Sequence, residues 1–98
     1  MNEELQNFSK EMVNKWGEIN QLRQTQEEAA ELITAISHFL REKEGAKENL
    51  YEEIADMIIM INQLFYILGE DNIQDWVSKK IARKGGWTSL TKGDTPCH

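Results

Sequence analysis

This sequence is short of several things that proteins use to declare themselves. It has one cysteine, Cys97, in 98 residues. One thiol cannot close an internal disulfide, so a reducing cytoplasm is the expected compartment. Cys97 also stands on a terminal tail with no scaffold beneath it, which makes it a poor nucleophile. The N-terminal MNEELQNFSK has no apolar signal region. The longest apolar run, Met57–Leu68, is about half a membrane span and is interrupted by Asn62 and Gln63. It reads as a buried helix, with no membrane partner. Positive charge is scarce too: the net charge is −6. A general nucleic-acid binder needs a cationic face, so nucleic acid is excluded as a partner. A small phosphorylated ligand is not excluded, because a metal can bridge it to carboxylates.

No strand-like alternation is sustained anywhere. What the chain has instead is helical periodicity. Leu5, Phe8, Met12, Trp16 and Ile19 recur at three- and four-residue steps, with Gly17 as the place for this helix to loosen or end. A second pattern runs from about Gln21 to Glu44, its apolar face marked by Leu32, Ile33, Ile36, Phe39 and Leu40. Gly45 breaks it. A third helix is expected from about Lys47 to Leu68, stopping at Gly69, and from Asp56 on it is apolar on nearly every side. Asp71-x-x-Gln74 then resembles a capping arrangement that opens a fourth helix. Ile73, Trp76, Val77 and Ile81 would face inward, and Gly85-Gly86 would end it. The expectation is an all-α, four-helix bundle-like fold, a single domain over 1–87 and a flexible C-terminal tail over 88–98. A core this small is marginal alone. With an all-round apolar third helix, that points to a homodimer or homotetramer.

The acids carry the chemistry. QEEAAELI at Gln26–Ile33 is echoed by YEEIADMI at Tyr51–Ile58. Residues three or four apart share a helix face, so Glu28 neighbours Glu31 and Glu53 neighbours Asp56. Glu28, Leu32, Ala35 and Phe39 form one stripe; Glu53, Met57, Met60 and Leu64 form another. Each glutamate heads an otherwise apolar stripe and should point to the core or its edge. Met57 and Met60 are expected in the core. Two such charges about 5 Å apart repel by about 3 kcal/mol at an effective dielectric near 20. No Lys or Arg lies within the motif to relieve them, so protons, outside cations or a metal must. An all-oxygen donor set without His or Cys selects Mg²⁺, or Mn²⁺, over zinc. The plainer account is that Glu-Glu pairs sit on solvated helix faces, and that Thr25-x-x-Glu28 is a capping box starting the second helix late. Glu27 and Glu52 suit that account best.

The pattern Glu27-Glu28-x-x-Glu31, a gap of about twenty residues, then Glu53-x-x-Asp56, resembles the MazG-like all-α nucleoside triphosphate pyrophosphohydrolases of the compact phage and bacterial type. The resemblance covers about Lys15–Leu68, through KWGEINQLRQTQEEAAELITAI and EEIADMIIMINQL. It implies an oligomeric MazG-type fold and Mg²⁺-dependent hydrolysis of a (d)NTP to the monophosphate and pyrophosphate. It implies metal ligation by Glu28, Glu31, Glu53 and Asp56. Glu27 would reach a second metal or take a proton from the attacking water.

Other residues would complete such a site. Lys79, Lys80, Arg83 and Lys84 are candidates for binding phosphate; favourable charge at a helix C-terminus explains them equally well. Trp16 offers a stacking face, and Gln21 or Asn62 could read a base edge, although Trp16 also fits the apolar stripe of its helix. His38 is taken as an ordinary surface or rim residue, and Trp87 has no assigned role. The rival reading is a catalytically weak nucleotide-sensing or helical dimerisation module that kept the acids without turnover.

Overall fold

The structure, a computed structural model, describes residues 2–90, and their side chains as far as 83. It is all-helical among the described residues. Helix α1 spans Glu3–Trp16, α2 Glu18–Leu40, α3 Ala46–Leu68 and α4 Glu70–Leu90. None of them is long and apolar enough to cross a membrane. Contacts divide the chain into two units, Met1–Ile67 and Leu68–His98.

In the first unit, α1 begins at Asn2, whose side chain accepts a hydrogen bond from the Leu5 amide at 2.8 Å. It ends at Gly17, whose amide donates to the Val13 carbonyl at 2.8 Å. Gly17 has φ 90°, a conformation that costs glycine nothing and lets the chain turn directly into α2. The second helix therefore starts at Glu18, not late. Thr25 lies inside it and its hydroxyl donates to the Gln21 carbonyl at 2.8 Å, so the capping-box account of Thr25 and Glu28 does not hold. Gly45, at φ 74°, closes the link to α3.

Two contacts set α2 and α3 antiparallel. Gln21 pairs with Gln63, and Glu28 meets Asp56, so the order of partners reverses. Tyr66 of α3 donates to Asn14 of α1 at 3.3 Å. The buried apolar residues are few: Val13, Ala35, Ala46 and Met60. Ser9, Gln21, Asn62 and Gln63 are buried beside them. The face of α2 expected to form core is largely uncovered, Ile33 being 69% and Leu40 73% exposed. On α3, Ile54, Ile58, Ile61 and Leu68 form a second exposed apolar stripe. Periodicity told which residues share a face, but not whether this chain covers that face.

In the second unit α4 does not end at Gly85-Gly86 but continues to Leu90. Lys79, Lys80, Arg83 and Lys84 therefore lie within the helix, which removes the C-terminal charge account of them. Ile73 is half-buried, whereas Trp76, Val77 and Ile81 are exposed. Residues 88–90 of the expected tail belong to α4, and 91–98 lie outside the described residues.

Candidate functional site

The facing stripes of α2 and α3 bring one carboxylate oxygen each of Glu28, Glu53 and Asp56 within 4.8 Å of one another. All three residues are half-buried. Glu28 Oε1 and Glu53 Oε1 are shielded from solvent and have no hydrogen-bond partner among the described residues. Orphaned acceptors of this kind are costly unless something outside the chain satisfies them. Their carboxyls are held above the ordinary carboxylate range. For Glu28 the causes are burial, then a hydrogen bond and charge repulsion from Glu31, then the charge of Asp56; Gln24 opposes the shift. For Glu53 they are burial, the charges of Glu31 and Asp56, a hydrogen bond with Glu31, and the charge of Glu52. Glu31 is exposed and stands beside both glutamates. Three converging carboxylate oxygens are hard donors that fit a divalent cation such as Mg²⁺ and could hold one.

The triad opens on one side into a cleft of about 690 Å³. Its acid end is formed by Glu27, Glu28 and Asp56. Its walls are Phe8, Met12 and Trp16 of α1 with Ile59 and Met60 of α3. Its far end carries the amides of Asn20, Gln21 and Gln63, and Gln24 lies between them and the acids. There Gln21 Nε2 donates to Gln63 Oε1 at 2.6 Å, and Gln63 Nε2 reaches Met60 Sδ at 3.8 Å. Gln24 Nε2 lies 3.4 Å from Glu28 Oε2. Trp16 is half-exposed and Lys15 Nζ sits 5.1 Å from its ring centroid.

Trp16 and Gln21 thus line the same cleft as the acids. Asn62 does not line it: it is buried on α3 and its amide nitrogen donates to the Ile58 carbonyl at 2.9 Å. Lys79, Lys80 and Arg83 are exposed on α4 in the other unit, with Lys79 Nζ 4.5 Å from the Trp76 ring centroid; the Lys84 side chain lies outside the described residues. Glu52 is exposed. Sequence reasoning passed over Arg23 and Gln24 as cleft residues. For Gln24 the signal was there, since Asn20, Gln24, Glu27 and Glu28 follow one helical stripe that runs upstream from the acids.

Comparison with protein-family models, with curated proteins and with solved structures finds no match.

Proposed function

We propose that this chain is a Mg²⁺-dependent nucleoside triphosphate pyrophosphohydrolase of the MazG-like kind, acting as a homo-oligomer in a reducing cytoplasm. The observation that carries the proposal is the half-buried triad of Glu28, Glu53 and Asp56, with unpartnered oxygens, at one end of a cleft whose other end is aromatic and amide-lined. A pure scaffold gains nothing from like charges at that depth. Glu28, Glu53 and Asp56, with Glu31 at the edge, would hold the cation. Bound Mg²⁺ supplies positive charge for phosphate oxygens and acidifies water.

The chain's own residues do the rest. Trp16 and the apolar wall give a base a surface to stack on, and Gln21 offers its edge an amide. In the reaction, the oxygen of water bonds to phosphorus at the α–β bridge, the bridging P–O bond breaks, and a proton is released. Glu27, exposed and on the cleft wall, is the acceptor for that proton.

The test is product analysis on a panel of (d)NTPs with and without Mg²⁺. Monophosphate plus pyrophosphate, abolished by excess EDTA, is the expected result. Undiminished turnover in EDTA, or release of orthophosphate and a diphosphate, would remove the proposal. Tight nucleotide binding without products would favour the sensing module.

A further inference from the structure

The acids divide a longer furrow. On the side away from the 690 Å³ cleft, a hollow of about 280 Å³ is lined by Ala30, Glu31, Thr34, Ala35 and His38 of α2 and by Asn49 and Glu53 of α3. The cleft touches Glu28 and Asp56, the hollow touches Glu31 and Glu53, and these four acids are neighbours. On α2 the stripe runs through Gln21, Gln24, Glu28, Glu31, Ala35 and His38; on α3 it runs back through Gln63, Met60, Asp56, Glu53 and Asn49. Both are steps of three and four residues, so cleft and hollow lie on either side of the acids along the same pair of facing stripes, a furrow in two parts.

Its two ends differ in kind. The Gln21–Gln63 end is wide, aromatic-walled and rich in amides. The other end is small, has no aromatic wall beyond the imidazole, and offers His38 and Asn49 as donors; the Thr34 hydroxyl is committed to the Ala30 carbonyl at 3.2 Å. Between the acids and the amide end lies Arg23, the one cationic side chain lining the cleft among the described residues. It is exposed, and it makes no hydrogen bond or ion pair among the described residues. It sits four residues from Glu27 toward the amide end, about 6 Å along the axis at 1.5 Å per residue.

We propose that a nucleoside triphosphate lies along this furrow in one direction: base toward Gln21 and Gln63, α-phosphate against Arg23, and the terminal two phosphates in the hollow of His38 and Asn49. The inference rests on the pyrophosphohydrolase reading and adds the orientation and two binding residues. The bulky nucleoside takes the larger space. The compact, fully polar pyrophosphate takes the smaller. Arg23 supplies a forked, permanently charged donor where the acids supply none.

The experiment is calorimetric binding of a nucleoside monophosphate and of inorganic pyrophosphate, each with Mn²⁺, to the full chain and its Arg23→Gln, His38→Ala and Asn49→Ala variants. Loss of one charge-assisted hydrogen bond weakens binding by about tenfold to a hundredfold. Arg23→Gln should weaken the monophosphate by that factor and leave pyrophosphate unchanged. His38→Ala and Asn49→Ala should do the reverse. Arg23→Lys should restore part of the monophosphate affinity, which a merely structural role would not predict. The opposite pattern, an equal loss of both ligands in every variant, or no loss in any would overturn the orientation. If the wild-type chain hydrolyses a (d)NTP but the variants fail to separate the ligands, only the orientation falls. If the wild-type chain binds neither ligand and hydrolyses nothing, the functional reading falls with it.

Discussion

Gln21 Nε2 donates to Gln63 Oε1 across 2.6 Å in the interior of the first unit. Seven residues further along α2 is Glu28, and seven residues back along α3 is Asp56. The amide pair therefore sets the register that brings the acids together. An amide–amide bond suits this task better than an apolar contact, because a slip by one residue would leave a donor and an acceptor unmade in the interior.

Breaking one half of that pair should be costly and breaking both should not. Gln21→Leu leaves the Gln63 carbonyl oxygen buried without its donor, a loss of about 1–3 kcal/mol. The Gln21→Leu/Gln63→Leu double variant replaces both partners with apolar groups and should recover much of the loss. Urea unfolding of the metal-free protein measures the cycle. Additive losses would mean that the two amides are not coupled.

The metal-free fold should become more stable as the pH falls. Burial and neighbouring charges hold the Glu28 and Glu53 carboxyls above their ordinary value of 4.5. Between that value and the raised ones the folded chain binds more protons than the unfolded chain, so acid favours folding. The stabilisation is complete below 4.5 and is lost as the pH rises through the folded-state values. Melting temperatures in EDTA at pH 7 and pH 5 should show it against the combined titration of all other groups. Glu28→Gln and Glu53→Gln should each flatten the pH 5 advantage, and equal slopes in variant and wild type would show that these residues do not carry it.

The exposed stripes on α2 and α3 predict self-association. Ile54, Ile58 and Ile61 are 43%, 38% and 38% exposed and lie on one face of α3. Burying an isoleucine completely gains about 1.5–3 kcal/mol, so a few of them on each copy suffice to drive pairing. Light scattering at micromolar concentration should give a dimer or tetramer, and Ile58→Glu should shift it toward monomer. A fully active wild-type monomer would refute the assignment.

Much of the fold was readable because a 3.6-residue period fixes which residues share a face. Four helices follow from it, and so does the pairing of Glu28 with Glu31 and of Glu53 with Asp56 on their own helices. What periodicity could not supply is the partner of each face. The Ile33 and Leu40 face looked like core and is exposed. Local turn chemistry misled at two places. Thr25-x-x-Glu28 has the letters of a cap, yet Gly17 already starts α2. Gly85-Gly86 looks like a stop, yet α4 runs through it. Arg23 and Gln63 are not legible as cleft residues because their role depends on which helix stands opposite, and a single helix does not encode that, whereas Gln24 lies on the same stripe as Glu27 and Glu28.

The acids should rank by depth. Glu28, Glu53 and Asp56 converge, Glu31 stands exposed at their edge, and Glu52 is exposed outside the triad. If the first three hold the cation, Glu28→Gln, Glu53→Gln and Asp56→Asn should each lower turnover by at least about a hundredfold, since a metal-stabilised charge is worth several kcal/mol in the transition state. Mg²⁺ should raise the melting temperature of the wild type, by about 2.7 kcal/mol of stability at a hundred times the dissociation constant. The three variants should lose that increment. Their metal-free forms should melt no lower than wild type, because each change relieves repulsion between neighbouring acids. Glu31→Gln should fall between the triad and the control. Glu52→Gln is the control and should retain both turnover and the Mg²⁺ increment. Triad variants that melt lower without metal, yet keep full activity per folded molecule, would make these acids structural.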